Sequence, residues 1–349
     1  MTFFSLLLAL LLEQARPLGQ RHPLNSALKK WARWVSDHFD ADKARSSWMA
    51  WSLLVLGPAL LSVVIHWTLW LTLGWPSAML FQVAVLYLTL GFRQFSHHFT
   101  AIRDALAEGD EALARELLSE WKHVDASDLT RTEIVRHVIE YSILAAHRHV
   151  FGVLSSYAIL AALGGGPAGA VIYRMAQFAK QAWCQRAHNP LYPHYPISQA
   201  LQERTQRLWL QVDWLPARLT ALVFAVVGNF EEAIEGWRSQ ARRDPEDGNG
   251  IVLAAAAGAL NVRLGGEALR RKPRPNWLAQ NTSFTKAAGA ENDLGLEDLE
   301  EKAPELGPLD PSGQTPEVGH LVQVVGLVWR SVVVWLVLLA LLTLARLVG

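Results

Sequence analysis

The feature that most constrains this chain is an unbroken apolar run from Ser52 to Leu73, SLLVLGPALLSVVIHWTLWLTL. Its 22 residues contain no charged side chain, and about 20 apolar residues are enough for a helix to cross a bilayer. Tryptophans lie toward both ends of the run, as is typical of membrane interfaces. The pair Gly57–Pro58 inside it predicts a kink. An integral membrane protein is therefore the first interpretation.

Other apolar segments extend this prediction to several spans. A second charge-free run, Ala78–Phe92, follows a short turn and completes a hairpin. The 25 residues of Leu321–Ala345 contain one charge, Arg330, and would form about 37 Å of helix. Two interpretations of Arg330 stay open: it reaches the interface of a tilted helix, or it faces a polar cavity. The N-terminal run FFSLLLALLLE predicts a short retained helix, spanning or half-inserted, because no small-residue cleavage site follows it.

Composition narrows the class of function. Acidic and basic residues balance at 32 each, so the chain has no net field that would attract nucleic acid. The single cysteine, Cys184, excludes an internal disulfide and a cysteine-built zinc site. Basic residues concentrate between Arg16 and Arg45 and begin again at Arg93, which predicts that both flanks of the hairpin face the cytoplasm. We expect a multi-pass protein of the bacterial inner membrane, with the lipid bilayer as a partner.

Local signals divide the chain into segments. Gly109–Asp110 predicts a turn between two helices, and Thr130–Glu133 fits a capping box. The run Gly164–Pro167 is expected to break an apolar stretch into two half-helices. The predicted fold class is all-α: a polytopic integral membrane helical bundle with cytoplasmic helical inserts and four to six membrane segments. We expect an N-terminal apolar helix and basic segment (1–47), a transmembrane hairpin (48–92), a polar helical insert (93–149), a glycine-rich membrane and amphipathic core (150–266), a disordered linker (267–318) and a C-terminal transmembrane helix (319–349).

The stretch DWLPARL, which begins at Asp213, is the most informative polar motif. Pro216 is typical of a helix's first turn, which predicts Asp213 near the N-cap and Arg218 in the same turn. A helix N-terminus beside an arginine suits an anion. The alternative is that Trp214 and Arg218 anchor the helix at the membrane interface. The apolar part that follows, Leu219–Val227, is too short to span a bilayer alone.

Other polar residues add candidates. Asn261 and Arg263 follow a small-residue helix and could contact an anion in the same way. Glu140 stands just before an apolar run, where it faces either a polar cavity or an ordinary helix surface. His147 and His149 lie on different faces of a helix, so we interpret them as interfacial or solvated histidines rather than as metal ligands.

The motifs DWLPARLTAL, AAAAGALNVRLGG and LGGGPAGAVIYR, with HPL at His22–Leu24, resemble the cobalamin-biosynthesis CobD/CbiB family. The resemblance covers most of residues 1–266. It implies an integral membrane protein that acts as adenosylcobinamide-phosphate synthase and joins aminopropanol phosphate to adenosylcobyric acid as an amide. It also implies ATP and Mg²⁺ as cofactors, and a corrinoid or another anionic small molecule as a partner. A homo-oligomer is compatible with the resemblance.

The resemblance also suggests site residues. Arg148 and Lys180 stand where the family has acids, so most of its acidic pattern is missing here. Because Mg²⁺ prefers carboxylates, anion binding is implied more directly than metal-assisted acyl activation. The candidates are Glu140 and Asp213 as metal or amine ligands, and Arg218, Arg263, Asn261 and His22 for phosphate or substrate.

A sister group provides a second hypothesis. The start MTFFSLLLALLLEQARPLG and the stretch DWLPARL with GNFEEAIEGW resemble the AmpE family of inner-membrane proteins, which is linked to cell-wall and β-lactamase regulation. This resemblance implies a non-catalytic regulatory or sensor protein. A third hypothesis is a scaffold whose disordered tail tethers a partner.

Overall fold

The structure, a computed structural model, describes residues 2–15, 23–40, 44–122, 125–185, 197–266 and 313–348. Within these ranges the chain is almost entirely helical, and the only extended pairing is an isolated parallel bridge between Val262 and Gln314. The helices are α1 (Thr2–Ala15), α2 (Pro23–Phe39), α3 (Ala44–Leu73), α4 (Trp75–Thr89), α5 (Phe92–Glu108), α6 (Glu111–Lys122), α7 (Arg131–Ala146), α8 (Gly152–Ala162), α9 (Ala168–Lys180), α10 (Gln199–Val227), α11 (Phe230–Arg243), α12 (Gly248–Leu260) and α13 (Val318–Val348).

Four helices are long and apolar enough to cross a membrane: α3, the continuous helix formed by α7 and α8, α10, and α13. The shorter apolar helices α1, α4 and α12 pack among them. α3 continues through Pro58, and α4 follows it after Gly74, which gives the predicted hairpin. The predicted all-α membrane bundle is therefore confirmed as the fold class.

The helix formed by α7 and α8 lies at the centre of this bundle. In its most apolar window 78% of the residues are buried, against 33%, 44% and 39% in α3, α10 and α13. Between α7 and α8 the backbone widens into a π-turn at His147–Phe151. Such turns insert one extra residue into a helix and are frequent at functional sites. The π-turn therefore directs attention to the side chains around it.

Several local predictions are confirmed. Gly109 ends α5 in the left-handed conformation, with φ 84°, before α6 begins. Thr130 and Glu133 form both halves of a capping box at the start of α7. The chain breaks between α8 and α9 at Gly164–Pro167, where Gly164 and Gly166 have positive φ. These signals are short-range, so the sequence suffices to place them.

Small residues allow α12 to approach α11 closely, as predicted for the alanine-rich segment. A Cβ atom built on Gly236 would stand 2.7 Å from the carbonyl oxygen of Ala254. A Cβ atom on Gly258 would overlap the carbonyl group of Glu232. The two backbones are therefore in contact, and a larger residue at either glycine would force the helices apart.

The prediction that a helix begins near Asp213 is wrong. α10 begins at Gln199, where Ser198 caps it, and continues through Pro216 to Val227. The fixed φ of proline fits a helix, and the cost of one missing backbone donor is tolerated in a long packed helix. Asp213 therefore lies in mid-helix, and the apolar stretch Leu219–Val227 belongs to a 29-residue candidate span.

Two other predictions concern the C-terminal part. Residues 267–312 of the predicted linker lie outside the described residues. The end of that segment is described: the Gln314 amide donates to the Asn261 carbonyl at 3.0 Å, and the Arg263 amide donates to the Gln314 carbonyl at 2.8 Å. Arg330 is exposed on the outside of the bundle and donates to the Gly326 carbonyl. Its position agrees with the interfacial interpretation.

Candidate functional site

A cluster of four polar side chains lies where α10 meets α9 and the π-turn. Asp213 is only 4% exposed, and its Oδ1 accepts a hydrogen bond from the Tyr173 hydroxyl at 2.8 Å. The same oxygen lies 3.0 Å from Nε2 of the fully buried His147. Nδ1 of His147 lies 2.9 Å from the hydroxyl of Thr220. We call these four residues the Asp213 cluster; ionisable groups are costly at such depth and usually serve a function.

The hydrogen-bond partners assign the protons of this cluster. The Thr220 hydroxyl donates to the Pro216 carbonyl at 2.9 Å, so its oxygen is left to accept from His147 Nδ1–H. Nε2 of His147 faces the carboxylate of Asp213, which can only accept when ionised. Protons on both ring nitrogens satisfy all of these contacts. The arrangement therefore favours an imidazolium paired with a carboxylate.

Two glycines make room for the Asp213 cluster. A Cβ atom at Gly152, the first residue of α8, would overlap the Tyr173 ring. A Cβ atom at Gly248, the first residue of α12, would stand 3.0 Å from Asp213 Oδ2. The neighbouring helices thus close on the cluster from two sides, and its geometry depends on their small residues.

Cationic side chains surround the cluster. Arg148 and Lys180 are 8% and 7% exposed. The guanidinium of Arg148 is close enough to act electrostatically on both Tyr173 and Asp213. The Lys180 Nζ lies 5.5 Å from the centre of the Trp209 ring, which packs 5.4 Å from the Tyr173 ring. Both cations are therefore held beside the Asp213 cluster.

Arg174 is a third cation in this region. Its Nη1 donates to Oε1 of Gln177 at 2.8 Å and lies 3.0 Å from Nδ1 of His149. Gln177 and His149 are themselves buried, so they hold the guanidinium in place. Arg174 also acts electrostatically on Tyr173. We call Arg148, Arg174 and Lys180 the basic rim.

The interpretation of His147 and His149 as interfacial or solvated histidines is wrong, since both are buried. They lie on different helix faces, as expected, but the helix that bears them is covered by protein on every side. Sequence reasoning also missed Tyr173 and Thr220. One signal was present: His147 follows Glu140 by seven residues, which repeats an ionisable side chain on one face of an apolar helix.

Comparison with known proteins places the chain in a family. The family model described as CobD/Cbib protein matches residues 3–193 and 204–292. The chain belongs to the CobD/CbiB family. It is a cobalamin biosynthesis protein of the CobD/CbiB type, and its helical membrane bundle is the fold on which the Asp213 cluster is built.

Curated relatives carry the same description. A cobalamin biosynthesis protein CobD of Stutzerimonas stutzeri is 29% identical over 345 residues, 97% of this chain and 96% of the relative. One of Chromobacterium violaceum is 36% identical over 186 residues, 53% of this chain and 55% of the relative. The chain thus spans about half the length of the latter and nearly all of the former. No solved structure matches. The alternative AmpE assignment gains no support from these comparisons.

This CobD/CbiB protein does not bring the predicted metal candidates together. Oε1 of Glu140 accepts from the Gly265 amide at 2.7 Å, and its Oε2 lies 3.2 Å from His137 Nδ1. Glu140 precedes His147 by seven residues, or about 10 Å of helix, whereas Asp213 contacts that histidine directly. Among the residues that the structure describes, no three His, Cys, Asp or Glu side chains converge. A resident Mg²⁺ therefore does not fit this donor set.

The predicted phosphate ligands lie at the ends of helices. The Arg218 guanidinium stacks on Trp214 at 4.0 Å and donates to the Pro245 carbonyl at 2.7 Å, which favours interfacial anchoring. Asn261 ends α12 in the left-handed conformation, with φ 52°. Arg263 is exposed and reaches the Gly313 carbonyl. His22 lies outside the described residues. The structure does not gather these residues around the Asp213 cluster.

Proposed function

We propose that this protein acts at the amide-forming step of cobalamin assembly, in the inner membrane of a bacterium. In this step aminopropanol phosphate is joined to adenosylcobyric acid, with ATP activating the carboxyl group. The observation that carries the proposal is the match to a CobD protein over 97% of this chain. The buried Asp213 cluster supports it, because an ionisable group inside a membrane bundle usually marks a substrate or ion site.

The chain's own side chains suit one part of this chemistry better than another. The basic rim can hold the phosphate and so orient the amine toward the carboxyl group. The Asp213–His147 pair fixes Tyr173 and the surrounding helices by hydrogen bonds. Since the described carboxylates do not form a resident metal site, Mg²⁺ would enter with ATP as part of a substrate.

Reconstitution tests the proposal. The purified protein in detergent is given ATP, Mg²⁺, adenosylcobyric acid and aminopropanol phosphate, and mass spectrometry follows the product. We expect adenosylcobinamide phosphate to form and to disappear when ATP is omitted. Absence of product from protein with intact helicity and a cooperative thermal transition would overturn the proposal.

A matched variant controls for loss of protein during handling. Asp104→Asn changes an exposed carboxylate that pairs only with the neighbouring Arg103 among the recorded ion pairs, far along the chain from the Asp213 cluster. It should turn over at the wild-type rate. Growth of a bacterial strain that lacks its own CobD, supplied with adenosylcobyric acid, provides a second readout in cells.

A further inference from the structure

We infer that the basic rim is a binding site for a phosphate monoester and that it needs no divalent metal. The site consists of Arg148, Arg174 and Lys180, arranged around Tyr173 and Trp209. The choice of a phosphate monoester rests on the proposed function. The existence of an anion site rests on the contacts and charges of these residues.

The charge of the region is the first argument. Among the described residues that these contacts connect, the basic rim contributes three cationic side chains, whereas Asp213 contributes one carboxylate. That carboxylate is already engaged by His147 and Tyr173. Burying a cation costs several kcal/mol unless an opposite charge lies nearby. A bound dianion would supply the opposite charge that the excess of cations calls for.

The geometry is the second argument. Tyr173, Gln177 and Lys180 are spaced four and three residues apart, so they share one face of α9. Arg174 is held beside this face by Gln177 and His149, and Lys180 lies over the Trp209 ring. The guanidinium of an arginine presents several N–H donors in a fixed fork, which matches phosphate oxygens. The rim is thus partly organised before a ligand arrives, which lowers the entropic cost of binding.

The donor set is the third argument. Phosphate is held in proteins either through a carboxylate-bound cation or directly by arginine and lysine. The described residues do not provide the first arrangement, since no three potential ligands converge. They do provide the second, with Arg148 and Lys180 both buried beside the Asp213 cluster. We therefore infer direct recognition by side-chain cations.

Titration calorimetry tests this inference on the full chain in detergent with EDTA present. Aminopropanol phosphate is the probe, aminopropanol without phosphate is the neutral comparison, and ATP is the alternative phosphate source. We expect aminopropanol phosphate to bind and its Kd to stay the same when Mg²⁺ replaces EDTA. Arg148→Gln and Lys180→Met should each weaken binding about tenfold or more, because each removes a charge-assisted contact.

The chain offers matched controls for both variants. Lys122 also lies over an aromatic ring, 4.3 Å from the centre of Trp121, but on a different helix. Lys122→Met should therefore leave the Kd unchanged, as should Arg103→Gln. Binding that requires Mg²⁺, wild-type affinity in Lys180→Met, or tighter binding of ATP than of aminopropanol phosphate would each overturn the inference.

Stability without ligand gives an independent readout if a rim variant folds poorly. When the rim cations exist to bind an anion, removing one relieves repulsion, so ligand-free Lys180→Met should unfold at the wild-type temperature or above. A marked loss of thermal stability would instead assign Lys180 a purely structural role and refute the site. Metal-free binding without product formation would refute the proposed function alone, and product formation without metal-free binding would refute the anion site alone.

Discussion

At the scale of single residues, the Asp213–His147 pair makes the sharpest prediction. Asp213→Asn keeps the size of the side chain but leaves the buried imidazolium without its opposite charge. Breaking one partner of a buried pair costs about 3–5 kcal/mol, so we expect a loss of that order in the free energy of unfolding. Equilibrium unfolding in mixed micelles of SDS and a mild detergent would measure it.

A double variant separates this charge effect from a packing effect. His147→Gln together with Asp213→Asn removes both charges, so the two losses should be smaller together than their sum. Additive losses would show that the residues do not act as an ion pair. Asp104→Asn, an exposed carboxylate, should change the free energy of unfolding by less than about 0.5 kcal/mol.

At the scale of elements, the π-turn and the first residue of α8 determine where Tyr173 can lie. A methyl group at Gly152 would overlap the Tyr173 ring, and that ring is held by Trp209 and Asp213. We expect Gly152→Ala to reduce the free energy of unfolding by about 1–3 kcal/mol, the usual cost of overpacking. It should also weaken aminopropanol phosphate binding, because Tyr173 lies between the rim cations.

Gly326→Ala is the matched control for this prediction. Gly326 lies inside α13, and a Cβ atom there would meet no atom within 4 Å. Alanine is favoured over glycine in a helix by about 0.5–1 kcal/mol, so this variant should be as stable as the wild type or more so. Equal behaviour of the two glycine variants would contradict the close approach of α8 to Tyr173.

At the scale of the whole molecule, the central position of the α7–α8 helix predicts an asymmetry between two leucines. Leu154 of α8 is fully buried among other helices, whereas Leu71 of α3 is 77% exposed on the outside of the bundle. A membrane protein gains little from moving leucine out of lipid, so its stability depends on packing. Leu154→Ala should therefore cost about 2–5 kcal/mol through the cavity it leaves, and Leu71→Ala almost nothing.

Unfolding in mixed micelles compares these two variants directly. Both remove the same atoms, so any difference reports the surroundings of the side chain and not its hydrophobicity. Similar losses for the two would place α3 against protein and contradict the arrangement of the bundle. A larger loss for Leu71→Ala would reverse the order of inner and outer helices.

The sequence by itself determined the class of fold and many boundaries of its elements. Long charge-free runs predict spans, Thr130 and Glu133 predict a helix start, and Gly164–Pro167 predicts a break. Each of these signals acts within a few residues of the chain or depends only on apolar length. The motifs that carry the family resemblance are similarly local, and the comparisons confirm that membership.

Only the tertiary structure decided which polar residues meet. Asp213 contacts His147 across 66 residues of chain and Tyr173 across 40, and both contacts require α10 to pack on α9 and the π-turn. Local rules placed Asp213 at a helix start because Pro216 fits that position, yet the long helix tolerates the proline. The buried histidines follow from the same cause: a helix covered on every side buries polar side chains that a single sequence would assign to its surface.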